Sequence, residues 1–167
     1  MNDRSETALA TVNPSLADKD RAAAAALEPS GIFLLVVSGL RTADEQNALF
    51  AIGRTVDLEK HKVTNARAGQ SMHNYGLAVD VAPYTSGQTG TINWDEKTTQ
   101  FQSMVTALKA QGLAWGGDWV HFKDYDHFQV SSVPPSPSSA MEADYGTGDQ
   151  TALSALWTNV DDGKYAA

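Results

Sequence analysis

Two short stretches of the chain carry residue types that bind metal ions and support hydrolysis. Residues 71–80 contain His73 and Asp80, and residues 124–128 contain His127. Two histidines and one carboxylate supply three nitrogen or oxygen ligands, the number that a catalytic zinc ion takes when water holds its fourth position. We therefore predict that His73, Asp80 and His127 bind Zn²⁺.

A further carboxylate stands close to this ligand set in the sequence. Asp124 lies three residues before His127, and an acid beside a metal site can accept a proton from the attacking water without binding the metal itself. Asp124 is therefore the candidate general base. A histidine and an aspartate at this spacing are by themselves more often structural residues that form hydrogen bonds. The metal-site interpretation therefore depends on the elements that carry them.

Hydrophobic alternation predicts that ligands lie on two strands. Residues 76–82 alternate large apolar side chains on one face with two alanines and Asp80 on the other. A single acid on a small apolar face requires a cation, a metal or a hydrogen-bond network. Residues 126–130 form a second strand-like run, in which His127 projects opposite to Phe128. Pairing of the two strands in one sheet would bring the three ligands together.

The other elements follow from periodicity and capping patterns. We predict helices over residues 16–27 (opened by Ser15), 43–52 (behind the capping box Thr42–Glu45), 93–111 and 151–160, and a central strand buried on both faces over 32–37. The long loops 54–70 and 83–92 are candidates for the walls of a cleft. The fold class is therefore α+β, a small antiparallel sheet that presents the ligands with helices packed against it.

Three further residues are candidates for the site. Arg41 follows the strand 32–37 and precedes a helix cap, a place that favours a site role over a surface salt bridge. Trp119 follows a Gly-Gly pair and is predicted to line the cleft. His121 is close to Asp124 in sequence, and two interpretations stay open for it: a proton-relay or supporting role, or plain surface exposure.

Composition narrows the class of protein. The 167 residues suggest one domain, and 42% hydrophobic residues are enough for a real core. The absence of cysteine excludes disulfides and thiolate metal sites. A formal net charge of -8 argues against nucleic acid and anionic membranes as partners. The longest apolar run, residues 32–37, is too short to span a bilayer, and no secretory signal is visible.

Several motifs together resemble a known family. They are Ser38–Gln46, residues 53–55, Val63-Thr64, residues 71–80, Trp115–Trp119 and residues 124–128, in the family's order over roughly residues 13 to 130. The chain resembles zinc peptidases of the D-alanyl-D-alanine carboxypeptidase group, which share the fold of hedgehog domains. Within the group it is similar to the L-alanyl-D-glutamate endopeptidases of phage endolysins and bacterial wall hydrolases.

The resemblance implies a role for each matching residue. It implies zinc on the three predicted ligands, Asp124 as general base, and Arg41 facing the substrate carbonyl. Gln46 and Ser71 fall on supporting polar positions that contact substrate. One departure is Asp126, where the endopeptidases commonly have proline before the last ligand. An extra acid at this position could change the pKa values of its neighbours.

The implied substrate is the peptidoglycan stem peptide, cut between L-Ala and D-Glu by a monomeric enzyme. Two alternatives remain, a D-alanyl-D-alanine carboxypeptidase or dipeptidase on the same scaffold, and a non-catalytic, zinc-stabilised binding domain. Without a visible signal peptide, we expect synthesis in the cytoplasm and action on the cell wall after release, as for a phage endolysin. We expect residues 1–132 to form the catalytic domain and residues 133–167 a Pro/Ser linker with an acidic tail.

Overall fold

A computed structural model describes residues 1–85, 90–146 and 148–166. Its helices are α1 (Asp3–Leu9), α2 (Pro14–Leu27), α3 (Ala43–Ala51), α4 (Thr99–Ala110), α5 (Ser139–Tyr145) and α6 (Gln150–Asp161), and its strands are β1 (Leu34–Ser38), β2 (Ala78–Pro83), β3 (Leu113–Trp115) and β4 (His127–Val130). The predicted α+β class is confirmed. The chain divides into two compact units, the first of Met1–Gly39 with Leu77–Ser131, the second of Leu40–Gly76 with Ser132–Ala167.

The first unit contains the sheet, whose four strands have the order β1-β2-β4-β3 and pair antiparallel. The alternation predicted for residues 76–82 is confirmed, since Leu77, Val79 and Val81 are fully buried. The two alanines of the opposite face are buried as well, and Asp80 between them is only partly exposed. Both faces of β2 are therefore largely buried, and Asp80 is the residue of the strand that stays partly exposed.

The prediction of a central strand over residues 32–37 is wrong, because β1 pairs with β2 alone among the described strands. Helix α1, which the polar composition of residues 1–12 did not predict, packs against β1 and buries Leu9. The buried Ser5 hydroxyl of α1 accepts a hydrogen bond from the Val36 backbone N–H at 3.0 Å. The helix therefore supplies a partner that an edge strand would otherwise lack.

Helix boundaries differ from the prediction where short polar side chains bond to the backbone. Helix α2 begins at Pro14 with Asn13 as its N-cap, rather than behind Ser15. Helix α4 begins at Thr99 rather than near Asn93, because Asn93 and Asp95 accept backbone N–H groups two residues further on and hold turns instead. The capping box that begins α3 is present as predicted, with Thr42 and Glu45 as its members.

The second unit contains α3, a 3-10 turn over Met72–Tyr75, α5 and α6. The predicted C-terminal helix is confirmed as α6, with Leu153, Leu156 and Trp157 buried. Helix α5 was not predicted; Ser138 caps it and its Met141 is fully buried. The division of the chain at residue 132 stays a prediction.

Two further sequence expectations concern loops and membranes. Residues 86–89 of the loop 83–92 lie outside the described residues, so the expected cleft wall there is not described. Loop 54–70 is held partly by Arg54, whose guanidinium lies over the Phe50 ring and donates to Asn65. No helix in the described ranges is long and apolar enough to cross a membrane.

One buried acid gives a prediction about stability. Asp20 of α2 is fully buried, and neither of its carboxylate oxygens has a hydrogen-bond partner in the described part of the chain. Burial raises the pKa of Asp20 to about 7, against a smaller opposing effect of Arg21. An unfolded aspartate has a pKa of about 3.9, so the folded protein binds more protons between these values. The free energy of unfolding therefore falls as pH rises through this window.

Asp20→Asn removes this titration while keeping the shape of the side chain. We expect the free energy of unfolding of the variant, relative to that of wild type, to increase by about 2 to 4 kcal/mol as pH rises from about 5 to about 8, measured by urea unfolding. Asp18→Asn on the same helix is the control, because the Asp18 side chain is 78% exposed. Parallel pH profiles for wild type and Asp20→Asn would contradict the prediction.

Candidate metal centre

The antiparallel pairing of β2 with β4 places two of the predicted ligands side by side. Asp80 and His127 are direct partners in the register of these strands. The His127 Nδ1 and Asp80 Oδ1 atoms are 3.6 Å apart, and both side chains are mostly buried. This separation exceeds a normal N–H···O bond. It is slightly longer than the spacing of about 3.3 to 3.5 Å between two ligands that share one tetrahedral ion at about 2.1 Å.

The third predicted ligand comes from the 3-10 turn Met72–Tyr75. Ser71 caps this turn, and its hydroxyl accepts a hydrogen bond from the His73 backbone N–H at 3.3 Å. The turn ends at Gly76 with φ of 62°, a left-handed conformation that favours glycine. His73 itself is 2% exposed.

The three predicted ligands form a group of side chains that could hold a metal ion. His73, Asp80 and His127 each offer one nitrogen or oxygen atom, and these atoms all lie within 4.8 Å of one another. Two imidazoles and one carboxylate are a donor set that suits zinc and related divalent ions. The residues present therefore fit a single metal ion.

A buried amide fixes the orientation of one ligand and was missed by sequence reasoning. The His127 Nε2 atom lies 2.9 Å from Gln129 Oε1. Donation from Nε2–H to this oxygen leaves the Nδ1 lone pair facing Asp80, which is the state that a metal ligand needs. The sequence could have predicted this contact, because residues two apart on a strand, such as His127 and Gln129, share a face.

Electrostatics in this part of the sheet are dominated by acids. Burial lowers the pKa of His127, but the carboxylate of Asp80, Gln129 and the charge of Asp124 together outweigh it, so the pKa is raised. Burial, with the charge of Asp80 and a hydrogen bond to Asp124, raises the pKa of Asp126 to about 8. Asp126 is therefore itself perturbed by its surroundings, and its effect on the pKa values of its neighbours stays a prediction.

The candidate base is held close to His127 by a glycine. The Asp124 backbone N–H donates to Gly116 O at 3.2 Å. A Cβ atom on Gly116 would lie 2.4 Å from Asp124 O and 3.1 Å from the His127 Cβ. The absence of a side chain at Gly116 is what lets the Asp124 segment approach the ligand strand.

Trp119 and His121 differ in their surroundings. The Trp119 ring lies beside the His127 ring, with centroids 5.0 Å apart and an interplanar angle of 49°. His121 is exposed. Trp119 therefore contacts the predicted ligand His127, whereas the roles of Trp119 and His121 at the site stay predictions.

Arg41 and its predicted supports are tied to the turn that carries His73. The Arg41 backbone N–H donates to His73 O at 3.0 Å. Its guanidinium donates to Gln46 Oε1 at 2.9 Å, and the fully buried Gln46 donates to Ala66 O at 2.7 Å. Gln46 therefore holds Arg41 by its side chain while the His73 turn holds it by its backbone.

Asn74 is a second residue that sequence reasoning missed. It is 4% exposed, its amide donates to Arg41 O at 2.8 Å, and its Oδ1 accepts from Gly69 N at 3.0 Å. A single buried asparagine thus joins three separate segments. Its place directly after a predicted ligand is the signal that could have marked it.

The three predicted ligands form a group that could hold a metal ion, and comparisons by sequence find peptidases. The family described as D-alanyl-D-alanine carboxypeptidase matches residues 64–130. The peptidoglycan L-alanyl-D-glutamate endopeptidase CwlK of Bacillus subtilis is 36% identical over 126 residues, covering 71% of this chain and 73% of that protein. The L-alanyl-D-glutamate peptidase of Listeria phage A118 is 31% identical over 128 residues, which cover 74% of this chain but 40% of that protein.

At this identity and coverage the chain belongs to the D-alanyl-D-alanine carboxypeptidase family of peptidases, in the group that includes L-alanyl-D-glutamate endopeptidases. Solved structures agree on the fold. The L-Ala D-Glu endopeptidase ChiX of Serratia marcescens superposes with a TM-score of 0.57 at 27% identity, covering 78% of this chain and 88% of ChiX. The vancomycin resistance D,D-pentapeptidase VanY, solved with Zn(II), gives 0.54 at 12% identity, covering 92% and 83%.

The contact between Gln129 and His127 can be tested by substitution. Gln129→Met removes the acceptor at His127 Nε2 in a buried place, so the ring loses the partner that fixes its tautomer. We expect the affinity for divalent metal to fall about 10- to 100-fold, measured by competition with a chromophoric chelator. Gln129→Glu keeps an oxygen at this position and should lose less. Equal losses in both variants would show that the acceptor is not what matters.

Proposed function

We propose that the protein is a zinc-dependent peptidoglycan hydrolase that cleaves the L-Ala–D-Glu bond of stem peptides. The observation that carries this proposal is the set of three ligand atoms from His73, Asp80 and His127 within 4.8 Å. The set lies in a chain 36% identical to a peptidoglycan L-alanyl-D-glutamate endopeptidase. A binding domain without catalysis would need the ligands alone, whereas this chain also carries Asp124 and Arg41, to which the resemblance gives catalytic roles.

The ion belongs on His73, Asp80 and His127, with Gln129 fixing the ring of His127. Zinc in this position supplies a Lewis acid that polarises a carbonyl and makes a nearby water more acidic. Asp124 accepts the proton of the attacking water and later passes it to the leaving amine. Trp119 shields the His127 ring from solvent, which strengthens electrostatic interactions at the site.

Arg41 acts on the charge that develops on the scissile carbonyl oxygen. A preorganised donor is worth most where negative charge appears in the transition state. The hydrogen bond from Arg41 to Gln46 and the backbone bond to His73 support such preorganisation. Ser71 contributes by fixing the backbone of the ligand turn. His121, exposed on the loop before Asp124, is the alternative proton carrier if Asp124 is not the base.

The role proposed for Arg41 favours an endopeptidase over a carboxypeptidase. A carboxypeptidase must recognise a free terminal carboxylate close to the metal, usually with a dedicated cation. Arg41 is the arginine that the family motif assigns to the site, and the mechanism uses it on the reacting carbonyl. An endopeptidase needs no such cation, only a cleft that admits chain on both sides.

The role of Asp124 gives a direct test of catalysis. Asp124→Asn keeps the shape of the side chain and leaves all three ligands, so the variant should fold and bind zinc while turnover falls about 100- to 10,000-fold. Asp118→Asn is the matched control, since the Asp118 side chain is 54% exposed and paired with Lys109. Asp80→Ala should instead lose zinc. Normal hydrolysis by Asp124→Asn would move the base elsewhere, with His121 tested next.

The bond that is cut can be identified from the products. Purified peptidoglycan digested with the protein should yield peptides with a new N-terminal D-Glu, while L-Ala stays on the muramic acid, as read by mass spectrometry. Addition of a chelator should abolish these products. Release of free D-Ala without a new D-Glu amino terminus would reject the proposed bond in favour of a carboxypeptidase.

A further inference from the structure

The C-terminal helix contacts the turn that carries His73. The buried Trp157 of α6 donates a hydrogen bond from its indole Nε1 to the backbone oxygen of Tyr75 at 2.8 Å. Its ring also covers Gly76, where a Cβ atom would lie 2.8 Å from the Trp157 Cζ2 atom. The indole therefore closes over the last residue of the 3-10 turn and the glycine that ends it.

A second C-terminal residue contacts the same turn from α5. The ring of Tyr145 lies 5.1 Å from the ring of Tyr75, centroid to centroid, at an angle of 56°. Tyr75 is 2% exposed, and its hydroxyl donates to Gly69 O at 2.9 Å. The residue two positions after His73 is thus fixed by an indole, a phenol ring and a loop carbonyl at once.

Short 3-10 turns have few bonds of their own and poor hydrogen-bond geometry. Metal affinity depends on holding ligands close to the geometry that the ion requires, and the partners that hold them matter almost as much as the ligands. External contacts on Tyr75 and Gly76 therefore determine how well His73 is placed before the ion arrives. The segment that composition marks as an acidic tail supplies two of these contacts.

We propose that Trp157 is a positioning residue of the metal centre: its indole clamps the Tyr75–Gly76 turn and thereby preorganises His73 for zinc. The proposal rests on the proposed function, because it requires that His73 binds the ion. It assigns residues beyond 132 a part in metal binding, distinct from a linker or a wall-binding tail. Substrate contacts are not involved, so KM should be unaffected.

The test compares full-length variants by zinc affinity and by activity. Trp157→Phe removes the Nε1–H donor but keeps an aromatic ring over Gly76. We expect about 3- to 10-fold weaker zinc binding in competition with a chromophoric chelator, the effect of losing one good hydrogen bond. Turnover should fall at limiting zinc and return to the wild-type value when zinc is in excess.

The control is Tyr165→Phe in the same C-terminal segment. The Tyr165 hydroxyl contacts Asp144 and Asn159, away from the ligand turn. This variant should lose thermal stability while keeping its zinc affinity. If Trp157→Phe does not fold, as judged by circular dichroism, Tyr145→Leu carries the same expectation, because it removes the ring that packs on Tyr75.

The outcomes separate the two proposals. A wild-type chain that binds no zinc in the competition assay would overturn the proposed function. Wild-type zinc binding with unchanged affinity in Trp157→Phe, or equal weakening in Tyr165→Phe, would overturn the positioning role alone. Lower turnover that excess zinc does not restore would also count against it, since a misplaced ligand is compensated by mass action.

Discussion

The register between β2 and β4 is the constraint on which the site depends. It sets Asp80 directly opposite His127, and a slip of one residue would turn every side chain of one strand to the other face. Burial of Leu77, Val79 and Val81 opposes such a slip, because it would move them out of the core. The hydrophobic pattern of the strand thus fixes the placement of two of the predicted ligands, Asp80 and His127.

The register of the neighbouring strand β1 changes opposite Asp80. The pairing of β1 with β2 is regular up to Val36, and then shifts so that Ser38 lies opposite Asp80. Such irregularities bend a strand and re-aim its side chains, and they are common beside functional sites.

Carboxylates at Asp80, Asp124 and Asp126 lie close enough to raise the pKa of Asp126. Acids gathered in this way are stabilised by a proton or a cation, which is the electrostatic reason that the ligand set suits a divalent ion.

Sequence patterns predicted the parts of the molecule whose signals are local. Strand β2 and the capping box of α3 each lie within ten residues, as do two of the three predicted ligands, His73 and Asp80. The third, His127, lies on a second short strand, and the three side chains form a group that could hold a metal ion. The edge position of β1 was not predicted, because an apolar run looks the same whether a strand or a helix covers it. Helix α1 covers it here through Ser5, a residue that carries no pattern of its own.

Supports of the site were harder to predict than the ligands for the same reason. His73 stands on a four-residue turn whose geometry depends on Arg41, Asn74 and Trp157. These partners come from segments more than 30 residues away, apart from Asn74 itself, and each bonds a backbone atom, for which any residue can provide the acceptor. A ligand motif is therefore legible in the sequence because the metal demands particular side chains. The contacts that hold a ligand in place are not legible in the same way, because a residue of any type can offer a backbone carbonyl.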